Sequence, residues 1–318
     1  MPCATESKGI PKRRSRRNFS PEWFVPFYQP DGVLHRVNYC QTLFHDYDQP
    51  HTTTFVKRWG RLHMINDPLT LTALTQALHP RSVKVYPSIS STNDVALVWL
   101  SDGAEAGSIV VAEEQTKGRG RLGRSWFAPP GTALMFSVIL KPAVEAVGRI
   151  SMLGAVCVCD VLRDMGLQTV GIKWPNDVQI IVDGVRRKLC GVLPESIWDG
   201  SGFVGAVLGI GINVRVDFKN TPFSETAASI ESVLGKPVDR IHLLKQILAK
   251  MDKWESQIGC EAFIDAWRSR LNMMGQPVMI EGERCIAHDV EHDGTLIVRR
   301  NDGSLRRIIA GDIALGSE

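Results

Sequence analysis

The sequence predicts an α/β fold followed by a small all-β unit. Between residues 83 and 214, apolar segments of strand length alternate with segments of helix length. Beyond residue 275 the chain instead carries four short β-rich segments, punctuated by Glu-Gly and Asp-Gly pairs. This change of pattern indicates an α/β (α+β) domain with a mixed sheet, and after it a β-barrel of SH3-like size.

Length and composition set the class of protein. The 318 residues suit one large domain followed by a small one. Apolar residues make up 44% of the chain and charged residues 22%, which is typical of a soluble globular protein. A net charge of +3 gives no general affinity for polyanions, and no apolar run is long enough to span a membrane.

The cysteines argue for a reducing compartment. Seven are present, none forms a CxxC pair, and Cys157 and Cys159 would point to different faces of a helix. A zinc site or a disulfide framework is therefore disfavoured, and the eight histidines show no metal-ligand spacing. We expect reduced thiols, no bound metal in the protein itself, and a cytoplasmic location.

The first 66 residues differ from the rest. Before position 20 they contain six basic residues and a single acid, Glu6, and no periodicity follows. A twin-arginine signal is rejected because no apolar segment follows the arginines. An organelle transit peptide remains an alternative, but we favour a disordered basic extension over residues 1–66.

The elements of the α/β unit follow in order from residue 67. Asp67 is predicted to cap a short helix that begins at Pro68 and carries leucines at 69, 71, 74 and 78. Next we predict a strand at 83–86, a turn at 88–93, a helix from 93 to about 100, strands at 108–113 and 133–140, and a helix at 150–165.

A hairpin dominates the second half of this unit. The strand 170–174 is ended by Pro175, and Asp183-Gly184 joins two strands at 178–182 and 188–193. We then predict a strand at 203–214, helices at 240–256 and 261–271, and barrel strands at 277–280, 284–290, 295–300 and 305–309. The boundary between the two units is expected at 272/273.

The stretch 118–126, here called the arginine loop, carries the clearest chemistry. It holds Arg119, Arg121 and Arg124 interleaved with glycines, and Trp126 ends it. Three arginines cannot be buried unpaired, whereas their forked donors suit carboxylates and phosphates. We interpret it as a mobile cationic loop that closes over an anion. A solvated loop or a segment binding single-stranded nucleic acid are the alternatives if the loop is taken alone.

Four further motifs accompany the arginine loop. They are Ser91-Thr92-Asn93, Lys173-Trp174-Pro175-Asn176-Asp177, Lys188-Leu189-Cys190-Gly191-Val192-Leu193 and Gly209-Ile210-Gly211-Ile212-Asn213-Val214. In type and order the five motifs resemble those of biotin–protein ligases, and the resemblance runs from about residue 83 to 315. It implies a ligase-type catalytic domain over 67–272, a C-terminal SH3-like domain over 273–318, and ATP, Mg²⁺ and biotin as ligands.

The reaction implied by the resemblance joins two anions. Biotin and ATP give biotinyl-5′-AMP, and the biotinyl group then passes to a lysine of a biotin carboxyl carrier domain of a carboxylase. Two unit charges about 4 Å apart repel by roughly 1 kcal/mol in water and about 4 kcal/mol at an effective dielectric of 20. A site that excludes water therefore needs fixed cations.

The resemblance also implies a role for each site residue. Biotin would contact Ser91, Thr92, Asn93, Gln115, Arg119, Gly120, Arg121 and Lys173. ATP would contact Arg121, Arg124, Trp126 and Asn213. Catalytic roles fall to Lys173 at the activated carboxyl group, to Arg121, and to Asp177 near Mg²⁺ or the incoming lysine.

Structural alternatives exist for several of these residues. The segment 91–93 could cap the following helix, Trp126 and Trp174 could be core anchors, and Lys188 could lie at the surface. Asp177 could simply form an Asx-turn. Three departures from the family pattern are Leu122 in place of an arginine, Cys190 in place of a smaller residue, and Pro194, which suggests an edge position.

Two other functions remain to be weighed. A lipoate or octanoate ligase would share the fold but lacks the arginine loop. A DNA-binding repressor responding to biotinyl-adenylate would need a helix-turn-helix, and we find no second helix before residue 83, so DNA binding is not expected. An edge strand late in the catalytic domain could support a homodimer.

Overall fold

A computed structural model describes residues 67–200, 202–309, 311 and 313–315. Our predictions for residues 1–66, both the favoured basic extension and the transit-peptide alternative, lie outside the described residues. Within them, the fold class is confirmed: a mixed α/β unit with a seven-stranded sheet is followed by a five-stranded antiparallel sheet.

The large sheet provides the platform for the site. Its strands are β1 (Val83–Tyr86), β2 (Ile109–Ala112), β3 (Ala133–Leu140), β4 (Val170–Lys173), β5 (Asp177–Val182), β6 (Val185–Asp199) and β7 (Gly202–Asn213). Their order is β1-β2-β3-β7-β6-β5-β4. Only the β1–β2 pair is parallel, so the sheet is mixed. Strands β3 and β7, buried almost throughout, lie near its centre.

Helices cover both faces of this sheet. They are α1 (Leu71–Leu78), α2 (Thr92–Ser101), α3 (Ile150–Asp164), α4 (Ile230–Leu234), α5 (Arg240–Glu255) and α6 (Glu261–Arg268). The apolar helix α3 packs on one face and α2 on the other. The predicted α2, α3, α5 and α6 are confirmed to within a few residues, whereas α4 was not predicted. In the described part of the chain no helix has the length and apolarity to cross a membrane.

The predicted cap of α1 is wrong. The helix begins at Leu71, and the Thr70 hydroxyl accepts the cap hydrogen bond from the Ala73 N–H at 3.3 Å. Asp67 is instead buried, and its carboxylate lies 3.0 Å from Arg215 and 3.2 Å from Arg240. A buried carboxylate is far more strongly stabilised by two guanidinium groups than by one helix terminus, which explains its placement.

These residues form an ion cluster that joins distant parts of the chain. Arg240, only 3% exposed, also binds Glu113 at 2.6 Å just after β2, and donates to the Ala133 carbonyl at the start of β3. Burial raises the pKa of Asp67, but hydrogen bonds from Arg215 and Arg240 outweigh it, so the pKa lies below its ordinary value. The segment carrying the arginine loop is thus anchored at both ends.

The hairpin between β5 and β6 is confirmed. Val182 pairs with Val185, and Asp183 and Gly184 between them have φ of 50° and 76°, as a two-residue turn of type I′ requires. Strand β6 pairs with β5 only up to Cys190, so Pro194 faces no strand on that side, which confirms the predicted edge position.

The C-terminal strands form an open sheet. They are β8 (Pro277–Ile280), β9 (Glu283–Val290), β10 (Leu296–Arg299), β11 (Leu305–Ile308) and β12 (Ala314–Leu315), in the order β11-β10-β9-β8-β12. All neighbours are antiparallel, and β12 was not predicted. Among the described residues β11 and β12 do not pair, so the strands expected to form an SH3-like barrel are present without barrel closure.

The two sheets share one hydrophobic core. A continuous cluster of buried side chains runs from α3 into the C-terminal sheet and includes Val278, Cys285 and Leu296. The buried Trp174 donates its indole N–H to the Gly294 carbonyl at 2.8 Å. The C-terminal sheet therefore supports the end of β4, close to the KWPND motif.

Candidate functional site

A cavity of about 250 Å³ opens on the face of the large sheet that carries α2. Its floor is made of glycines on β6 and β7. A Cβ on Gly191 or Gly211 would meet the Trp126 ring at 2.9 or 2.8 Å, and one on Gly209 would meet Asn93 Oδ1 at 2.3 Å. Only glycine permits these side chains to lie so close to the sheet.

One end of the cavity is a small, buried polar network. Gln115 Oε1 accepts from the Thr92 N–H at 2.7 Å and from its hydroxyl at 3.0 Å. The Ser137 hydroxyl on β3 lies 2.8 Å from Thr92 Oγ1 and 2.7 Å from Asn93 Oδ1. Ser91 holds the N-cap position of α2 but makes no side-chain capping bond. Hydroxyls and carboxamides in this arrangement can pair with a ligand that has both N–H and C=O groups.

The arginine loop covers the cavity as a small hairpin. The Gly120 N–H donates to the Arg124 carbonyl at 2.7 Å, and the Trp126 N–H to the Gly118 carbonyl at 2.9 Å. Its tip is a turn of 3-10 helix, in which Leu122 has φ of 57° and is 56% exposed. These backbone bonds give the loop a defined hairpin geometry, and its mobility stays a prediction.

Arg119 and Arg121 have different partners. Arg119 lies 2.6 Å from Asp94 and 3.4 Å from Glu195, and the hydrogen bond to Asp94 raises its pKa despite partial burial. Arg121 donates to Asn176 Oδ1 at 3.2 Å and to the Gly311 carbonyl at 2.6 Å. The C-terminal segment therefore reaches the loop that covers the cavity.

A lysine–carboxylate pair closes the far side of the cavity. Lys188 Nζ lies 2.7 Å from Asp177 Oδ1 and 5.8 Å from the centre of the Trp126 ring. Lys173 ends the edge strand β4 opposite Asp177 in register, so the two side chains share one face of the sheet, but Lys173 is not among the residues that line the cavity. Lys188, for which our sequence analysis gave a surface position as the alternative, does line the cavity.

Comparison with known proteins agrees with this geometry. The profile of the Biotin/lipoate A/B protein ligase family matches residues 85–213. The chain is 30% identical to the biotin–[acetyl-CoA-carboxylase] ligase of Paracoccus denitrificans, with 71% of this chain and 97% of the relative covered. The chain belongs to the biotin–protein ligase family.

Two further comparisons concern a bifunctional relative and a solved structure. The bifunctional ligase/repressor BirA of Bacillus subtilis is 29% identical, with 72% of each chain covered. The structure of an Aquifex aeolicus biotin protein ligase with biotin and ATP superimposes with a TM-score of 0.59 at 24% identity, covering 74% of this chain and 99% of that one. The second similarity establishes the fold of this ligase.

Most of the predicted site residues lie together in this ligase. Those that line the cavity are Ser91, Thr92, Asn93, Gln115, Arg119, Gly120, Arg121, Arg124, Trp126, Asp177 and Asn213. Lys173 is the exception. The specific role of each residue stays a prediction.

Several site residues escaped the sequence analysis. Ser137 on β3 and Glu195 on β6 are brought to the polar network by the pairing of their strands. The residues next to them in sequence form no motif that would identify them as site residues. Phe127, Phe218 and Phe223 form an aromatic group beside the cavity, with ring centroids 6.2 and 5.7 Å from Phe127. Phe127 is separated from Phe218 and Phe223 by about ninety residues, so the sequence alone does not show that the three side chains lie close together.

Two polar atoms in the cavity wall have no hydrogen-bond partner among the residues that the structure describes. They are Trp126 Nε1, a donor, and Asn213 Oδ1, an acceptor, and both are buried in the described part of the chain. Because leaving such groups unpaired costs about 1–3 kcal/mol each, they favour a ligand with a complementary donor and acceptor.

Proposed function

We propose that this ligase activates biotin with ATP, forming biotinyl-5′-AMP and pyrophosphate, and transfers the biotinyl group to a lysine of a biotin carboxyl carrier domain. The carboxylate of biotin attacks the α-phosphate of ATP. In the second step the lysine amine attacks the acyl carbon, and AMP leaves. The observation that carries the proposal is the cavity itself, which places a neutral polar network at one end and cations at the other.

The neutral end suits the ureido ring of biotin. Thr92, Asn93, Gln115 and Ser137 offer hydroxyl and carboxamide groups without a net charge. A ureido group also combines donors with an acceptor, so it pairs there without a charge mismatch.

The cationic end suits the two reacting anions. Arg121, Arg124 and Lys188 line it, and each can approach a carboxylate or a phosphate. Fixed cations stabilise the charge that accumulates as the carboxylate attacks the phosphorus atom. Lys188 already lies against Asp177, so its position is defined before a ligand enters.

Mg²⁺ would accompany ATP. Among the described residues that line the cavity, Asp177 is the only carboxylate, and it holds Lys188. No group of three or more metal-binding side chains occurs in the described part of the chain. This donor set fits an ion carried chiefly by the phosphates of the nucleotide, which bring the charge neutralisation that phosphoryl chemistry needs.

The transfer step needs no nucleophile from the ligase. An acyl-adenylate is already activated, so the protein must position the incoming amine and keep water away. Asp177 is the side chain best placed to attract that amine. The partner would be a carrier domain held through a transient interface, in the cytoplasm, and the ligase itself is compatible with a homodimer at the free edge of β6.

The proposal is tested with radiolabelled biotin, Mg-ATP and a purified carrier domain. Label should appear on the carrier with the wild-type chain, and it should be lost with a carrier whose target lysine is alanine. The Arg121→Ala variant should leave the carrier unlabelled, because it either fails to form biotinyl-adenylate or releases it before transfer. Absence of biotin binding would refute the proposal, and labelling with lipoate in place of biotin would favour a lipoate or octanoate ligase.

A repressor role is not part of the proposal. BirA of B. subtilis is a ligase and a repressor. In the part of this chain that the structure describes, α1 alone precedes the first strand. Specific retention of a DNA fragment by the full chain with biotin and ATP would add that second role.

A further inference from the structure

At the neutral end of the cavity, three contacts between oxygen atoms share only two hydrogens. Ser137 Oγ lies 2.7 Å from Asn93 Oδ1 and 2.8 Å from Thr92 Oγ1. Thr92 Oγ1 in turn lies 3.0 Å from Gln115 Oε1, which is fixed as an acceptor by the Thr92 backbone N–H at 2.7 Å. Each hydroxyl group donates once, so one of the three contacts holds no hydrogen.

The orientation of the Asn93 amide is fixed from the side that faces away from Ser137. Asn93 Nδ2 donates to the Leu193 carbonyl at 3.2 Å and to Glu195 Oε2 at 2.5 Å. A carbonyl and a carboxylate can only accept, so the amide must turn Oδ1 towards Ser137. The bond to Glu195 is the stronger of the two, because its acceptor is charged and its side chain is only 15% exposed.

This orientation determines what the site offers to a ligand. With Oδ1 towards Ser137, the Ser137 hydroxyl donates to Asn93, and Thr92 Oγ1 receives no hydrogen from these neighbours. Thr92 lines the cavity, so both lone pairs of its hydroxyl are available as acceptors there. With the amide reversed, Asn93 would donate to Ser137, Ser137 to Thr92, and Thr92 to Gln115. All three contacts would then be satisfied without a ligand.

We propose that Glu195 is a positioning residue, which orients Asn93 and so makes the neutral end of the cavity an acceptor for an N–H group of the ligand. This inference rests on the proposed function, in which that group is a ureido N–H of biotin received by Thr92 Oγ1. Glu195 is not among the residues that line the cavity, and it acts on the ligand through Asn93 and Ser137.

Ligands with and without the N–H group test this role. Desthiobiotin lacks the sulfur ring and keeps both ureido N–H groups, and each of its two oxazolidinone analogues has a ring oxygen in place of one N–H. Titration calorimetry with the full chain gives the affinities. In the wild type, one analogue should bind at least about tenfold more weakly than desthiobiotin, because a buried acceptor is left without a donor.

Glu195→Gln should reduce this preference to about threefold or less. A glutamine can donate as well as accept, so it allows the Asn93 amide to reverse and the network to supply its own hydrogens. Both ligands are compared on the same variant, so a loss of stability alone leaves the ratio of their affinities unchanged.

Two further variants separate this effect from other consequences of the change. Glu105→Gln is the same substitution at an exposed side chain and should keep the wild-type ratio. Glu195 also lies 3.4 Å from Arg119, whose second carboxylate partner is Asp94 at 2.6 Å. Asp94→Asn alters the surroundings of Arg119 and leaves the side-chain bonds of Asn93 in place, so it should also keep the ratio.

The ratios decide between the outcomes. A ratio that falls only in Glu195→Gln supports the role of Glu195. An equal ratio in the wild type and Glu195→Gln overturns it, as does a fall of the same size in Asp94→Asn; in both cases binding of biotin by the wild type keeps the ligase function. Failure of the wild type to bind biotin or desthiobiotin would instead overturn the ligase function, and the assignment of the N–H group with it.

Discussion

At the scale of single residues, two lysines of the motifs differ in their relation to the cavity, and the motif resemblance gave the catalytic role to Lys173. Lys188 lies in the cavity against Asp177, whereas Lys173 ends the edge strand β4. A cation can stabilise a transition state only if it reaches the charge that develops there, so we expect the lysine that lines the cavity to contribute more.

Lys188→Ala should therefore slow adenylate formation by about 10²- to 10³-fold, the effect of removing one preorganised electrostatic group. Lys173→Ala should cost less than about fivefold, the size of effect expected for a charge that does not contact the reacting groups. Biotin-dependent exchange of pyrophosphate into ATP measures both. A larger loss in the Lys173 variant would restore the role that the motif resemblance gave to that lysine.

The glycine floor makes a second prediction. Gly211→Ala would place a methyl group 2.8 Å from the Trp126 ring, so the indole must move. We expect overpacking to cost about 1–3 kcal/mol and to weaken nucleotide binding. Titration calorimetry with ATP measures the second effect. Gly259→Ala has open space around its Cβ and serves as the control; equal behaviour of the two variants would contradict a tight floor.

At the scale of elements, Thr70 occupies the cap position that the local pattern assigned to Asp67. The Thr70 hydroxyl caps α1, and Asp67 binds two arginines. Thr70→Ala should thus lower the free energy of unfolding by about 1 kcal/mol. Asp67→Asn should lower it by about 3 kcal/mol or more, because Arg215 and Arg240 lose a buried counter-charge. Urea denaturation gives both values, and a smaller loss for Asp67→Asn than for Thr70→Ala would contradict the role of Asp67 in the buried ion cluster.

The same carboxylate predicts a dependence of stability on pH. The pKa of Asp67 is lowered in the folded state from its ordinary 3.8. Its contribution is complete above that unfolded value and is lost as the pH falls through the lower folded value. Below about pH 4 the wild-type chain should therefore lose stability more steeply than Asp67→Asn, while Thr70→Ala keeps the wild-type slope. Parallel slopes for all three chains would contradict this.

A structural feature can be predicted from the sequence when the residues that determine it are close together along the chain. The turn at Asp183-Gly184 and the strand at 133–140 were located from neighbouring residues, because backbone preference and alternation act over a few positions. The role of Asp67 depends on Arg215 and Arg240, which are 148 and 173 residues away in the sequence, so no local pattern could reveal it. Most of the cavity lining was found because the motifs resemble a family, and Ser137 and Glu195, outside those motifs, were not.

At the scale of the whole molecule, the C-terminal sheet is part of the structure that forms the site. Its core is continuous with that of the large sheet, and Gly311 accepts a hydrogen bond from Arg121. Trp174, 2% exposed, extends from the end of β4 to the Gly294 carbonyl between β9 and β10. Because β5 pairs with β4, and the cavity depends on β5 and on its neighbour β6, loss of this contact should also perturb the site.

Trp174→Phe tests this coupling, since it keeps one aromatic ring and removes the indole N–H together with part of the buried ring volume. Leaving the buried Gly294 carbonyl without its donor should cost about 1–3 kcal/mol. Because the core is shared, calorimetry should show one unfolding transition in both chains, shifted to lower temperature in the variant. Trp198→Phe, whose indole bonds only to Ser196 two residues away, is the control and should shift it less. Two separate transitions, with only the second sensitive to Trp174, would show instead that the C-terminal sheet folds as an independent unit from about residue 273.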